Sequence, residues 1–146
     1  MGGGGGGMTG FLDGAAATGA GLLGGIYLAF SVAVLPALRR RPAAEAVAVM
    51  RGVNRAIVNP LFGTLFAGTA LLACAVTVAG VLGGQPLRIA GGVAVLAGFV
   101  VTAAVNIPLN NALERDGDWA AFAPRWSAAN HLRGAVSTLG VALLLL

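Results

Sequence analysis

From Pro60 to Leu109 the chain reads PLFGTLFAGTALLACAVTVAGVL, GGQP, LRIAGGVAVLAGFVVTAAVNIPL, and Arg88 is the only charge in the stretch. The two apolar runs, Pro60 to Leu82 and Leu87 to Leu109, each reach the length of about 20 residues that crosses a hydrocarbon core of ~30 Å. Lipid offers no hydrogen bonds, so a spanning run satisfies its backbone internally and is helical. Gly83-Gly84-Gln85-Pro86 between them has only turn-forming character. The stretch therefore reads as an antiparallel hairpin of membrane helices.

Working outward, Ala15 to Leu38 is a comparable run and Arg133 to Leu146 a shorter one. Composition agrees: the chain is 58% hydrophobic and 10% charged, with mean hydropathy +0.88, far from the soluble balance. Its 146 residues suit one domain. The expected fold is an all-α membrane protein, an antiparallel four-helix transmembrane bundle over residues 11–146. Residues 1–10 read as a disordered Gly-rich tail, since the Gly2 to Gly7 run carries high backbone entropy. No basic region precedes the first apolar run, so a cleaved signal peptide is not expected.

The net charge of +4 contains no lysine. Arg39, Arg40, Arg41, Arg51 and Arg55 lie in the first connecting segment, Arg39 to Asn59. Arg115, Arg125 and Arg133 lie in or at the end of the third, Asn110 to Leu132. Short basic loops beside apolar runs follow the positive-inside rule rather than a nucleic-acid footprint. Both segments are thus expected to be cytoplasmic and both termini outside, with the lipid bilayer as partner and no nucleic acid. All six asparagines and the only histidine share the arginine-rich side. Polar groups are costly in a membrane unless paired or used, so function is expected at that end. Cys74, the single cysteine, excludes an internal disulfide.

Packing signals are also present. Ala17, Gly21, Gly25, Ala29, Ala33 and Ala37 recur every four residues, as do Ala90, Ala94, Gly98 and Thr102. Such seams let membrane helices approach closely. In the first connecting segment Val47, Met50, Val53 and Ile57 fall on one helical side and Arg51, Asn54 and Arg55 on the other, which predicts an interfacial helix in the first cytoplasmic loop. Asn59-Pro60 fits an N-cap with proline at the first helical position.

The third run ends at Asn106-Ile107-Pro108-Leu109-Asn110-Asn111. Thr102, Asn106 and Asn110 are four apart and share a face. Pro108 removes an N–H and loosens the preceding turn; Asn106 either satisfies that turn or does chemistry, and spacing leaves both open. Asn111 fits a C-terminal cap. With Leu146 at the outer interface, Arg133 lies roughly 20 Å below it at 1.5 Å per residue. That places Arg133 about 10 Å inside the cytoplasmic boundary of the core. The last helix is expected to start nearer Pro124, which puts Trp126, Asn130 and Arg133 on one face. At that depth a guanidinium either faces the bundle interior or snorkels to the headgroups. Tyr27 and Ser31, one turn apart on the first run, are in range to meet it.

The chain resembles the anthrone oxygenase domain family, many of whose bacterial members are small membrane proteins. The matching strings, in family order, are Gly25-Ile-Tyr27-Leu-Ala-Phe30-Ser31, Val34-Leu35-Pro36-Ala37-Leu38, Asn54-Arg55-Ala-Ile-Val-Asn59-Pro60-Leu-Phe62, Asn106-Ile-Pro108-Leu109-Asn110-Asn111-Ala-Leu, and Trp126 with Asn130-His131-Leu-Arg133. They cover about Gly21 to the C-terminus. One departure is Ala129, where the family commonly has Trp; if that ring walls a pocket, the pocket here is larger or different. The resemblance implies a bacterial inner-membrane protein that oxidises an anthrone-like polyphenol with dioxygen and no cofactor. An anthrone is acidic at C10, because deprotonation gives an aromatic anion, so binding, proton removal and oxyanion stabilisation suffice.

The candidate catalytic residues are Arg133, Asn130 and Asn106 as oxyanion donors and His131 as the side chain suited to neutral-pH base chemistry. Candidate substrate contacts are Tyr27, Asn54, Asn110 and Trp126. No metal is expected, because one histidine, one cysteine and five scattered acids do not make a ligand set. The rival reading is a non-enzymatic membrane scaffold whose asparagines cap helices and whose arginines bind lipid phosphates or a partner. An oligomer is compatible with either.

Overall fold

The computed structural model describes residues 4–146, and all regular structure among them is helical. Helix α1 (Gly4–Ala29) passes through a π-helical turn (Phe30–Val34) into the short α2 (Leu35–Leu38). Then follow α3 (Ala43–Ala56), α4 (Pro60–Leu82), α5 (Pro86–Val101), a second π turn (Thr102–Asn106), α6 (Ile107–Asp116) and α7 (Trp119–Leu144).

Three of these rods, Thr9–Leu38, Pro60–Leu82 and Pro86–Asp116, are long and apolar enough to cross a membrane. This is consistent with an integral membrane protein. α7, at 26 residues, is of comparable length, but its first half carries Arg125, Ser127, Asn130 and His131. α7 packs on both α1 and α5, and α4 closes the other side between the same two helices. The four long rods thus touch in a ring, with α1 and α5 across from one another.

The helix ends follow the expected chemistry. Asn59 Oδ1 accepts from the Phe62 amide at 3.0 Å, capping α4 ahead of Pro60. Asp118 does the same for α7 through Ala121 N. α6 runs past Asn111 and ends at Gly117, whose φ of 66° is the left-handed geometry of a helix stop. The expected cap at Asn111 is therefore six residues early, because Leu113 still finds core to bury against on α3 and α7. α7 begins at Trp119 rather than near Pro124. A proline so close to a helix start removes only one interior bond, and the helix runs through it.

Pro36 and Pro108 account for the two π turns. Each proline ring would meet the carbonyl four residues back, that of Val32 and that of Ala104. Both carbonyls lie inside the π segments, where Leu35 N bonds Phe30 O and Ile107 N bonds Thr102 O. The widened turn relieves the clash without breaking either rod.

Glycines set the closest approach. A Cβ on Gly140 would stand 2.6 Å from Val95 Cγ2 and 3.1 Å from Gly91 O, so α7 and α5 touch backbone to backbone there. The seam on the third run behaves as expected from Ala94 to Thr102, which are buried. The seam on the first run does not: Gly21, Gly25, Ala29, Ala33 and Ala37 face outward, and α1 packs through Ala16, Ala20, Leu23 and Tyr27 instead. Four-residue spacing defines a stripe but not which side of the rod it faces. Gly4 to Gly7 lie within α1, where a disordered tail was expected; extending an existing helix costs far less than nucleating one. Gly2 and Gly3 lie outside the described residues.

Two clusters of contacts tie the ends. At the end holding the α4–α5 turn, Arg88 Nε donates to Asp13 Oδ1 at 2.7 Å and Nη2 to Thr9 O at 2.9 Å. At the other end, α3 buries Ala46, Val47 and Met50 against Leu109, Leu113 and Phe122. Arg51 donates to the carbonyls of Leu113 and Glu114 at the C-terminus of α6, where a cation also meets the negative end of the helix dipole.

Candidate functional site

Both π turns and the polar half of α7 meet around a partly open cavity of about 610 Å³, lined also by α3. That volume falls in the ~300–1,000 Å³ range of small-molecule sites. Its wall is mostly apolar, with Ile26 and Phe30 from the first rod, Met50 from α3, Phe62 and Phe66 from α4, and Ile107 from α6. The rings continue behind it: Phe66 lies 4.5 Å from Phe99 and Phe30 lies 5.4 Å from Trp126, centroid to centroid.

Arg133 supplies the charge. It is 7% exposed and lines the cavity. Its Nη2 donates to Asn130 Oδ1 at 2.7 Å and its Nη1 to Thr102 Oγ1 at 3.3 Å. The guanidinium carbon lies 4.2 Å from the centroid of the Tyr27 ring and 5.3 Å from that of Trp126, both within cation–π range. No carboxylate among the described residues pairs with it. The Nε has no partner at all. A buried cation is expensive unless paired, and here its neighbours are a hydroxyl, an amide and two rings.

Asn130, fully buried, fixes that arginine. Its Nδ2 donates to the Tyr27 carbonyl at 2.8 Å and to Ser31 Oγ at 2.9 Å. Tyr27 O and Ser31 Oγ lie at the start of the π turn at Phe30–Val34. Asn130 thus docks on the first rod at the edge of its π turn and in turn aims Arg133.

Asn106 stands opposite in chemical state. It is 1% exposed, lines the cavity, and neither its Oδ1 nor its Nδ2 has a hydrogen-bond partner. Of the two readings left open by the sequence, repair of the Pro108 turn fails, since the side chain bonds nothing in that turn. Asn110 is occupied differently: its Oδ1 accepts from Trp126 Nε1 at 2.8 Å, holding the indole on the cavity wall.

The sequence placed Tyr27, Asn54, Asn106, Asn110, Trp126 and Arg133 near a common site, and all six line the cavity. Asn130 is behind it, bonded out. His131 is elsewhere: it is exposed and borders a separate groove between α1 and α7. The 100° that separates neighbouring helix residues turns it away while Asn130 turns inward. Ala129 is buried but does not line the cavity. Phe62 and Phe66 went unremarked as a pair, although their i, i+4 spacing marks one aromatic face of α4.

Residues 51–143 match the family model of the anthrone oxygenases. This is well over half of the chain, and the chain belongs to that family. No curated protein and no solved structure matches it.

Proposed function

We propose that this is a four-pass membrane protein with α3 at the cytoplasmic interface, and that it is a cofactor-independent oxygenase of anthrone-like or other polyphenolic carbon acids. One observation carries the reading: a buried guanidinium with no carboxylate partner and an unbonded Nε, and a buried carboxamide with no partner, share the wall of an apolar cavity. Each is a hydrogen-bonding debt of about 1–3 kcal/mol or more for the folded protein, which an oxyanion bound between them would settle. A scaffold that used its asparagines as caps would not leave Asn106 bonded to nothing.

The chemistry needs little more than that. A flat aromatic ligand fills the apolar cavity, with its carbonyl oxygen toward Arg133 and Asn106. Proton loss from C10, to water at the open end, leaves an aromatic oxyanion that the guanidinium stabilises. The anion gives one electron to dioxygen, and the resulting radical pair joins to form the C10–O bond. The peroxide takes up a proton. Loss of the remaining C10 hydrogen with cleavage of the O–O bond releases water and leaves the second carbonyl. The sum is anthrone plus dioxygen to anthraquinone plus water. Arg133 and Asn106 touch the reacting oxygen; Asn130 acts through Arg133; Trp126 and Tyr27 clamp the guanidinium and border the ring.

The test is dioxygen uptake by detergent-purified protein given a simple anthrone. Stoichiometric uptake with quinone formation well above the spontaneous rate is expected. A rate equal to the spontaneous background would remove the proposal and leave the scaffold reading.

A further inference from the structure

A third unpaired donor lies on the same cavity wall, on a different element. Asn54 Nδ2 is buried and has no hydrogen-bond partner, and Asn54 lines the cavity from α3. Nothing in the oxyanion chemistry uses it. Its position is not accidental slack in a loop, because α3 is held from two sides. Met50, one turn earlier, is fully buried against the core shared with α6 and α7. Arg51 clasps the α6 carbonyls of Leu113 and Glu114 at 2.8 Å each. Glu114, the carboxylate on this wall, is engaged by Arg55 at 3.0 Å and does not bond the Asn54 amide. The amide is therefore carried on a fixed helix at the cavity wall, and a buried donor without an acceptor is costly.

We infer that Asn54 is a specificity-determining residue: it donates to an acceptor on the outer edge of the ligand's ring system, at the end remote from the oxygen held by Arg133 and Asn106. The inference rests on the proposed occupancy of this cavity by a flat polycyclic ligand, but not on turnover. The preferred ligand is then a polycycle with two polar ends, one ionisable oxygen at the Arg133 pole and one neutral acceptor, a ring hydroxyl, at the α3 pole. A hydrocarbon edge placed against Asn54 leaves its donor unpaired. A hydroxyl there satisfies it, and sites built to meet a hydroxyl discriminate strongly against its absence.

The probes are unsubstituted anthraquinone and its 2-hydroxy derivative, titrated into the detergent-purified full chain with quenching of tryptophan fluorescence as the readout. The wild type is expected to bind the hydroxylated compound about tenfold more tightly, the factor expected for one buried hydrogen bond. In Asn54→Ala and Asn54→Leu the two compounds should bind alike, with affinity for the unsubstituted one within about twofold of wild type. Two independent variants guard against a folding defect in either. A preference that survives in both variants overturns the inference, as does a wild type that binds both compounds equally or neither. Oxygen uptake is scored separately: loss of the preference in a chain without oxygenase activity would keep the subsite and discard the oxygenase reading.

Discussion

Asn130 Oδ1 accepts from Arg133 Nη2 at 2.7 Å, one helical turn along α7, while the same carboxamide reaches across to Tyr27 O and Ser31 Oγ on the first rod. The cation in the cavity is therefore aimed by a neutral group anchored on another helix. A carboxylate at that position would still accept from the guanidinium, but it would neutralise it and could not donate to Tyr27 O. The amide both anchors on the first rod and keeps the cation's charge available to a ligand.

Asn130→Asp tests that distinction. The variant keeps an acceptor for Arg133 but loses the donor to Tyr27 O. Turnover of an anthrone should fall by roughly tenfold or more, because the oxyanion then competes with a carboxylate. Circular dichroism and oxygen uptake on the same preparation decide it. Undiminished turnover would show that the charge of Arg133 is not what the substrate uses.

Arg133→Lys should not rescue what Arg133→Ala loses. The planar fork meets Asn130 and Thr102 through two different nitrogens, which one ammonium cannot reproduce in that geometry. Both variants are expected to lose roughly a hundred- to a thousandfold in kcat/KM.

Asn106→Leu should separate function from stability. Both amide atoms of Asn106 are unbonded, so an apolar residue of similar volume costs no hydrogen bond. The melting temperature is expected to hold or rise while oxygen uptake is lost, the pattern of a residue kept for function at the expense of stability. A fall in melting temperature with full activity would reverse the assignment.

His131→Ala should leave turnover within about twofold of wild type, since the ring borders the α1–α7 groove and not the cavity. Proton removal by water at the open end requires no imidazole. A large loss of activity in this variant would require a different site.

Gly140→Ala and Gly21→Ala should differ sharply. The first drives a methyl to within 2.6 Å of Val95 and against the Gly91 carbonyl, and overpacking of this kind costs about 1–3 kcal/mol. The second meets nothing within 4 Å and should be neutral or slightly stabilising through helix propensity. Thermal unfolding in detergent compares them directly.

Much of this arrangement was legible in the sequence because membrane helices write it with few letters. The run lengths gave three rods; Asn59-Pro60 gave a helix start; spacing by three and four put Trp126, Asn130 and Arg133 on one face. What stayed hidden depends on rotation and register. Pro36 and Pro108 announce a disturbed turn, but not that each resolves as a π turn, nor that Asn130 reaches across to Tyr27 O. The Gly21 to Ala37 stripe is as regular as a packed seam, yet it faces outward, because Leu23 and Tyr27 on the neighbouring stripe bury more surface. His131 adjoins a site residue in sequence and is turned from it in space. The partnerless state of Asn54 and Asn106 has no sequence signature, since an unmade bond appears only when every neighbour is placed.

The central claim is that Arg133 stabilises an oxyanion in the cavity, and ionisation of a bound ligand tests it most directly. An anthrone should be titrated without oxygen against wild type and Arg133→Met, with absorbance reporting the aromatic anion. The account predicts that the anion forms on the wild-type protein at a pH where the free compound stays neutral, and that Arg133→Met binds the neutral form only. Equal ionisation on both proteins, or none on either, would contradict it.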